Sequence, residues 1–155
     1  MLHAQSIRTM KVATAKNRES NFWKQVRANL PESWIVTRIE TWAVPGVPDT
    51  LLCDSDGQFH LIELKVCTAN AVRLSPHQVS FLTRHAHASA WVLIKKQPFK
   101  DRAHSVLLYR GADAIALATD GLAGAEPAGH WRNPVPWADV FSLVKSHTIR
   151  YAEGV

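Results

Sequence analysis

Cysteine is scarce in this chain. Cys53 and Cys67 stand without a C-x-x-C and without a set of pairs. That excludes a disulfide-stapled scaffold and fits two buried thiols in a reduced, cytosolic compartment. Long apolar runs are missing too. No stretch approaches the roughly 20 residues of a membrane helix, and the first residues lack the apolar centre of a secretory signal, so no membrane association is expected. Proline and glycine number only 8 and 7 among 155 residues, too few for a collagen-like or low-complexity chain. There is no G-x-x-x-x-G-K-[ST] phosphate loop and no G-x-S-x-G elbow. Eight histidines are present, but none has a Cys pair nearby. His85 and His87 lie two apart on a predicted helix and face different ways, so zinc is not expected.

What remains is an ordinary globular composition, 46% hydrophobic and 20% charged, sized for one domain. The net charge of +5 is unevenly placed. Residues 1–18 hold Arg8, Lys11, Lys16 and Arg18 and no acid, so four of the five net charges sit there. The expected organisation is a basic flexible arm over 1–16 and one domain over 17–155, with a core to about 110 and an extension over 111–155. A basic arm suits an anionic partner such as nucleic acid, or is simply a solvated tail.

Periodicity supplies the elements. Phe22, Trp23, Val26 and Leu30 make one apolar stripe, which predicts a helix over Asn17–Leu30 closed by Pro31. Trp34–Trp42 reads as a strand and Ala43–Pro48 as a loop. Asp49–Cys53 and Gln58–Cys67, joined by the turn residues Asp54–Gly57, predict a hairpin. Ser75-Pro76-His77-Gln78 carries a capping-box helix start. Ala90–Lys95 is apolar throughout, as in a strand buried on both faces. Ser105–Tyr109 predicts a strand and Asp113–Ala118 a short helix. Gly121–Pro136 reads as a loop, and Trp137, Val140, Phe141 and Val144 mark a last helix. In that loop Trp131, beside Arg132, is the tryptophan placed to stack on a base; the other tryptophans read as core.

The strand around Glu63 carries the chemistry. Alternation puts Ile62, Leu64 and Val66 on one face and Glu63 with Lys65 on the other. Opposite charges on an otherwise apolar strand must be paired, hydrated or metal-bound; an edge strand with an ordinary salt bridge is the alternative. The hairpin would bring Asp49 across from them. Two carboxylates and a lysine at one end of a sheet make a hard-oxygen site of the kind Mg²⁺ prefers. Taken alone, Asp49 could be a turn residue after Pro48.

Pro48-Asp49, followed after 13 residues by Glu63-Leu64-Lys65, resembles the signature of the PD-(D/E)xK nuclease superfamily. Glu19, three and four residues before Phe22 and Trp23, points inward from the first helix, although a first-turn acid favoured by the helix dipole is the alternative. The order Glu19, Asp49, Glu63, Lys65 is similar to that of Holliday junction resolvases. The segment Leu74–Gln78 is similar to the one after the active-site strand of virus-type replication-repair nucleases. The likeness spans about Asn17 to Lys96. One departure is the loop before Asp49, which lacks the serine that archaeal resolvases often carry.

The resemblance implies an α/β, restriction-endonuclease-like fold, a mixed central sheet flanked by helices with an αβββαβ core. It implies a Mg²⁺-dependent endonuclease, with Mn²⁺ as substitute, cutting branched or junction DNA to leave 5′-phosphate and 3′-hydroxyl ends. Asp49, Glu63, the Leu64 carbonyl and Glu19 would hold metal; Lys65 would orient water and offset charge. Arg8, Lys11, Lys16, Arg18 and Gln78 would touch DNA, although capping explains Gln78 equally well. Small size and a basic arm suit a homodimer that places two sites on two strands. The expected location is the cytoplasm, that of the host if phage-encoded. The competing expectation is a DNA-binding or virion-associated module on the same fold, without turnover.

Overall fold

The computed structural model describes residues 17–41, 43–98 and 103–152; the arm residues Arg8, Lys11 and Lys16 lie outside it. Within the described residues a helix over 17–28, α1, is followed by strands β1 (Ile35–Arg38), β2 (Thr50–Cys53) and β3 (Phe59–Cys67). Helix α2 (Pro76–Arg84) leads into β4 (Ala90–Lys96) and β5 (Ser105–Arg110). Helix α3 (Ala114–Asp120), strand β6 (Gly129–Arg132) and helix α4 (Trp137–Ala152) complete it. The six strands form one mixed, open sheet in sequence order, an α/β architecture.

Every neighbouring pair is antiparallel except β3 and β4. A parallel pair needs a crossover, and α2 supplies it. Ser75 caps α2 as its sequence suggests: its hydroxyl accepts from the Gln78 N–H at 3.2 Å, and the Gln78 side chain accepts from the Ser75 N–H at 2.9 Å. The hairpin register follows from the turn. Buried Asp54 accepts from the N–H groups of Asp56 (2.8 Å) and Gln58 (3.0 Å), which pins Leu52 opposite His60 and Thr50 opposite Ile62.

Strand alternation divides the core in two. On one face Leu52, Ile62, Leu64, Leu93 and Leu108 pack under Phe22 and Val26 of α1 and Trp137, Val140, Phe141 and Val144 of α4. On the other, Cys67, Val92, Ile94, Leu107 and Tyr109 pack under Leu82 of α2 and Ala114 and Leu117 of α3. Strand β4, covered by helices on both sides, is buried through Ile94. Neither helical layer alone covers the sheet, so the fold needs both.

Several expectations are corrected. Strand β1 spans four residues rather than Trp34–Trp42, because Trp34 turns into the core against Phe141 and over the His60 ring. Cys53 is half-buried rather than buried. The expected loop over Gly121–Pro136 contains a 3-10 turn at Gly121–Gly124 and the edge strand β6. Gly129 permits that strand: a β-carbon there would sit 2.2 Å from the Trp131 ring, which lies back over the glycine. Trp131 faces the α1–α4 side beside Val106 and packs on the core, away from Glu63 and Lys65. It is not placed to stack on a base at that site.

Trp131→Ala should therefore act on stability. We expect a loss of about 2 kcal/mol, below the range for a fully buried aromatic because the ring is half-exposed. Chemical denaturation measures it, and an unchanged midpoint would remove Trp131 from the core.

Candidate active site

Glu63 sits in the middle of β3 and keeps only 4% of its surface exposed. Such a carboxylate needs partners. Three arrive. The Asp49 N–H donates to Oε2 at 3.2 Å, the Gln78 Nε2 donates to Oε1 at 2.7 Å, and the Lys65 Nζ lies 3.4 Å from Oε1. Gln78 thus serves twice: its carbonyl completes the α2 capping box while its amide nitrogen holds Glu63. That places it on the carboxylate of the site.

Asp49 is held from both sides. Its carbonyl accepts from the Ile39 N–H at 2.8 Å, and its Oδ1 accepts from the Leu64 N–H and the Thr50 hydroxyl, each at 3.2 Å. The approaching loop is fixed by Gly46, whose φ of 90° lies in the left-handed region and whose missing side chain admits the His77 backbone. A β-carbon there would stand 2.3 Å from the His77 oxygen. The loop that delivers Asp49 is therefore seated on the first turn of α2.

Pro48 has a further effect. Continuing the β2–β3 register two residues beyond Thr50 and Ile62 sets Pro48 opposite Leu64. Proline has no N–H, so the β2 side of the ladder offers the Leu64 carbonyl no donor. The Leu64 N–H meanwhile goes to the Asp49 carboxylate. The two carboxylates thus meet where the ladder stops.

The electrostatics reflect crowding. Desolvation, then the neighbouring Asp49 charge, pushes Glu63 from 4.5 up to about 7, with Lys65 pulling the other way. Burial also raises Asp49, opposed by its hydrogen bonds from Leu64 and Thr50. Glu19, half-buried in the first described turn of α1, is raised by burial, while Lys65 lowers it and Asp49 raises it. It is thus within electrostatic reach of both. Arg38 is the residue the sequence did not single out. From β1, opposite Thr50, it lowers both Glu19 and Asp49, with its guanidinium 5.2 Å from the Trp23 ring centroid. Only the β1–β2 register reveals it. Arg18 lies half-buried in α1.

Among the described residues, no three His, Cys, Asp or Glu side chains group around a common metal position. Asp49 and Glu63 form a pair, and a pair suits Mg²⁺, which takes one or two carboxylates and keeps several waters. The burial that raises both acids, and the Asp49 charge that adds to it at Glu63, are what a divalent cation would offset. The donor set fits a hard cation. No protein-family model matches the chain, and no curated protein matches it.

The Glu63 shift sets a direction for stability. Between about 4.5 and 7 the folded protein binds more protons than the unfolded chain, so stability falls as pH rises through that window. Glu63→Gln removes this dependence. In metal-free buffer the variant should gain on wild type by up to about 3 kcal/mol between pH 4.5 and pH 8. Parallel stability–pH curves would contradict the desolvated state of this acid.

Proposed function

We propose that this protein is a Mg²⁺-dependent DNA endonuclease of the PD-(D/E)xK type, acting on branched or junction DNA. The observation that carries the proposal is the convergence of Asp49 and Glu63 at the end of the β2–β3 ladder. They are joined by the Asp49 N–H bond to Glu63, with Lys65 3.4 Å from Glu63. The order and spacing of Pro48-Asp49 and Glu63-Leu64-Lys65 support the family reading, and the resemblance alone supports the branched substrate.

In this reading Asp49, Glu63 and the Leu64 carbonyl would hold Mg²⁺, with Glu19 completing the acidic end. When bound, the ion would polarise a phosphodiester and lower the pKa of a water. The protein does the rest. Gln78 keeps the Glu63 oxygens turned into the site, so a ligand geometry exists before metal arrives. Lys65 sets a positive charge beside Glu63, where it offsets negative charge developing on phosphorus oxygens and orients the attacking water. Water adds to phosphorus, the bond to the 3′-oxygen breaks, and that oxygen takes up a proton. Because Glu63 must ionise to serve as a ligand, protons compete with the cation below about pH 7.

Asp49→Ala, Glu63→Ala and Lys65→Ala should each abolish cleavage of labelled branched DNA in Mg²⁺, and the two acid variants should melt no lower than wild type in EDTA. Removing a buried acid relieves repulsion rather than packing. Millimolar Mg²⁺ should raise the melting temperature of wild type and not of Asp49→Ala/Glu63→Ala. Wild-type turnover by any single variant would overturn the assignment, and DNA binding without products in Mg²⁺ would favour the non-catalytic module.

Glu19 is tested separately. Glu19→Gln keeps shape and removes charge, so as part of the acidic end it should shift the Mg²⁺ titration of cleavage to higher concentration and lower the rate by orders of magnitude. A dipole-stabilising acid would leave the titration superimposable and cost roughly 0.3–1 kcal/mol of stability.

A further inference from the structure

On the same face of the sheet as Lys65, over β4 to β6, lies a cavity of about 530 Å³ that the site above does not use. The register builds it. Lys96, Ser105 and Arg132 form one cross-strand row over β4, β5 and β6; Ile94, Leu107 and His130 form the next, which continues to Lys65 on β3. At about 4.8 Å per strand, the His130 and Lys65 backbones are roughly 14 Å apart.

The lining is one-sided in charge. Lys96, Arg132, His104 and His130 contribute nitrogen groups, and no acid is found among the described residues lining the cavity. Lys96 is half-buried and pre-positioned, its Nζ 3.3 Å from the Asn70 Oδ1. Arg132 is exposed at the end of the edge strand. Leu107, Leu122 and Pro127 give the cavity an apolar side. The Tyr109 hydroxyl is spent on the Leu122 carbonyl at 2.9 Å, so that side offers little hydrogen bonding. Two cations beside an apolar wall suit a phosphate joined to a sugar and base, and the volume lies in the range of small-ligand sites.

We propose that this cavity is a nucleotide-phosphate subsite, with Lys96 and Arg132 as its phosphate contacts. The inference rests on the proposed nuclease reading only in taking the occupant to be part of a DNA strand; a free nucleotide offers the same chemistry. On a strand, the subsite would grip a nucleotide flanking the one at Lys65 and orient the substrate across the sheet face.

The test uses the full chain in EDTA, so that binding is read without turnover. Fluorescence anisotropy of a labelled single-stranded oligodeoxynucleotide is compared for wild type, Lys96→Ala/Arg132→Ala, and a charge-matched control, Lys24→Ala/Arg27→Ala, on exposed positions of α1. The cavity variant should bind at least about tenfold more weakly, with a log–log salt slope flatter by about 1.4, while the control loses less than half of either effect. Competition by a deoxynucleoside monophosphate in wild type, lost in the cavity variant, would assign the subsite to free nucleotides; absence of competition would assign it to the strand. Either supports the shared chemistry. Equal loss in the control, unchanged binding by a folded cavity variant, or no binding of either probe by wild type would overturn it. Should the double variant melt early, Arg132→Glu at the exposed position replaces it, and unchanged binding there overturns the proposal equally. The two proposals fail separately. Cavity-dependent binding with no Mg²⁺-dependent product sinks the nuclease reading alone. Asp49-dependent cleavage with normal binding by the cavity variant sinks the subsite alone.

Discussion

Glu63 must keep a carboxylate in the middle of a sheet strand, 4% exposed, and much of the local structure answers that requirement. A buried carboxylate without donors costs several kcal/mol, more than a domain of this size can spare many times over. The donors come from three directions: the loop before β2, the first turn of α2, and the next same-face position on β3. None of them is fully satisfying, because Asp49 brings its own negative charge with its N–H. The result is a pair of acids joined by the Asp49 N–H bond to Glu63 and pushed toward protonation by burial, with the Asp49 charge adding to the effect at Glu63. An arrangement of this kind stores unfavourable electrostatics that binding a cation would release, which is the physical content of the proposed metal site.

The proline beside Asp49 has a mechanical explanation. Without its N–H the β2 ladder ends opposite Leu64, and the chain departs instead of continuing the strand. Had an ordinary residue stood there, its N–H could have bonded the Leu64 carbonyl, one of the proposed metal ligands. Gly46, two residues earlier, complements it, since only a residue without a side chain fits against the His77 backbone. The loop is thus fixed at two points, and α2 is anchored to the acid pair both by that contact and by Gln78.

How much of this could be read beforehand depends on the range of each signal. The hairpin of β2 and β3, the capped start of α2 and the helical stripe of α1 are set by neighbours within a few residues, and they stand close to their expected bounds. The Glu63–Lys65 contact followed from alternation alone. The second role of Gln78 was hidden because capping is local while its bond to Glu63 spans fifteen residues. Arg38 was hidden because only the pairing of β1 with β2 brings it near Asp49. Strand β6 escaped notice because Gly and Pro surround it, and its Gly129 serves the Trp131 ring rather than a turn. Asp54 illustrates the same limit: a turn residue by sequence, it also holds buried His60 at 2.8 Å, whose other nitrogen meets Ser89.

Strand parity separates packing from chemistry. The face toward α1 and α4 holds the larger aromatic core. The face bearing Glu63 and Lys65 is covered by two short helices, nine residues in α2 and seven in α3. At the β1–β3 end of that face, Ile35 and Phe59 remain exposed at either end of a row through Cys53. The short helices thus leave the β1–β3 end of this face less covered than the rest, while both faces carry a buried core. The division holds only in one register. A slip of a single residue would turn Lys65 under α1 and present Leu64 to water, exchanging the two faces at once. The Asp54 turn, by holding the N–H groups of Asp56 and Gln58, prevents that slip, so a carboxylate some ten residues from Glu63 decides which face the acid pair occupies.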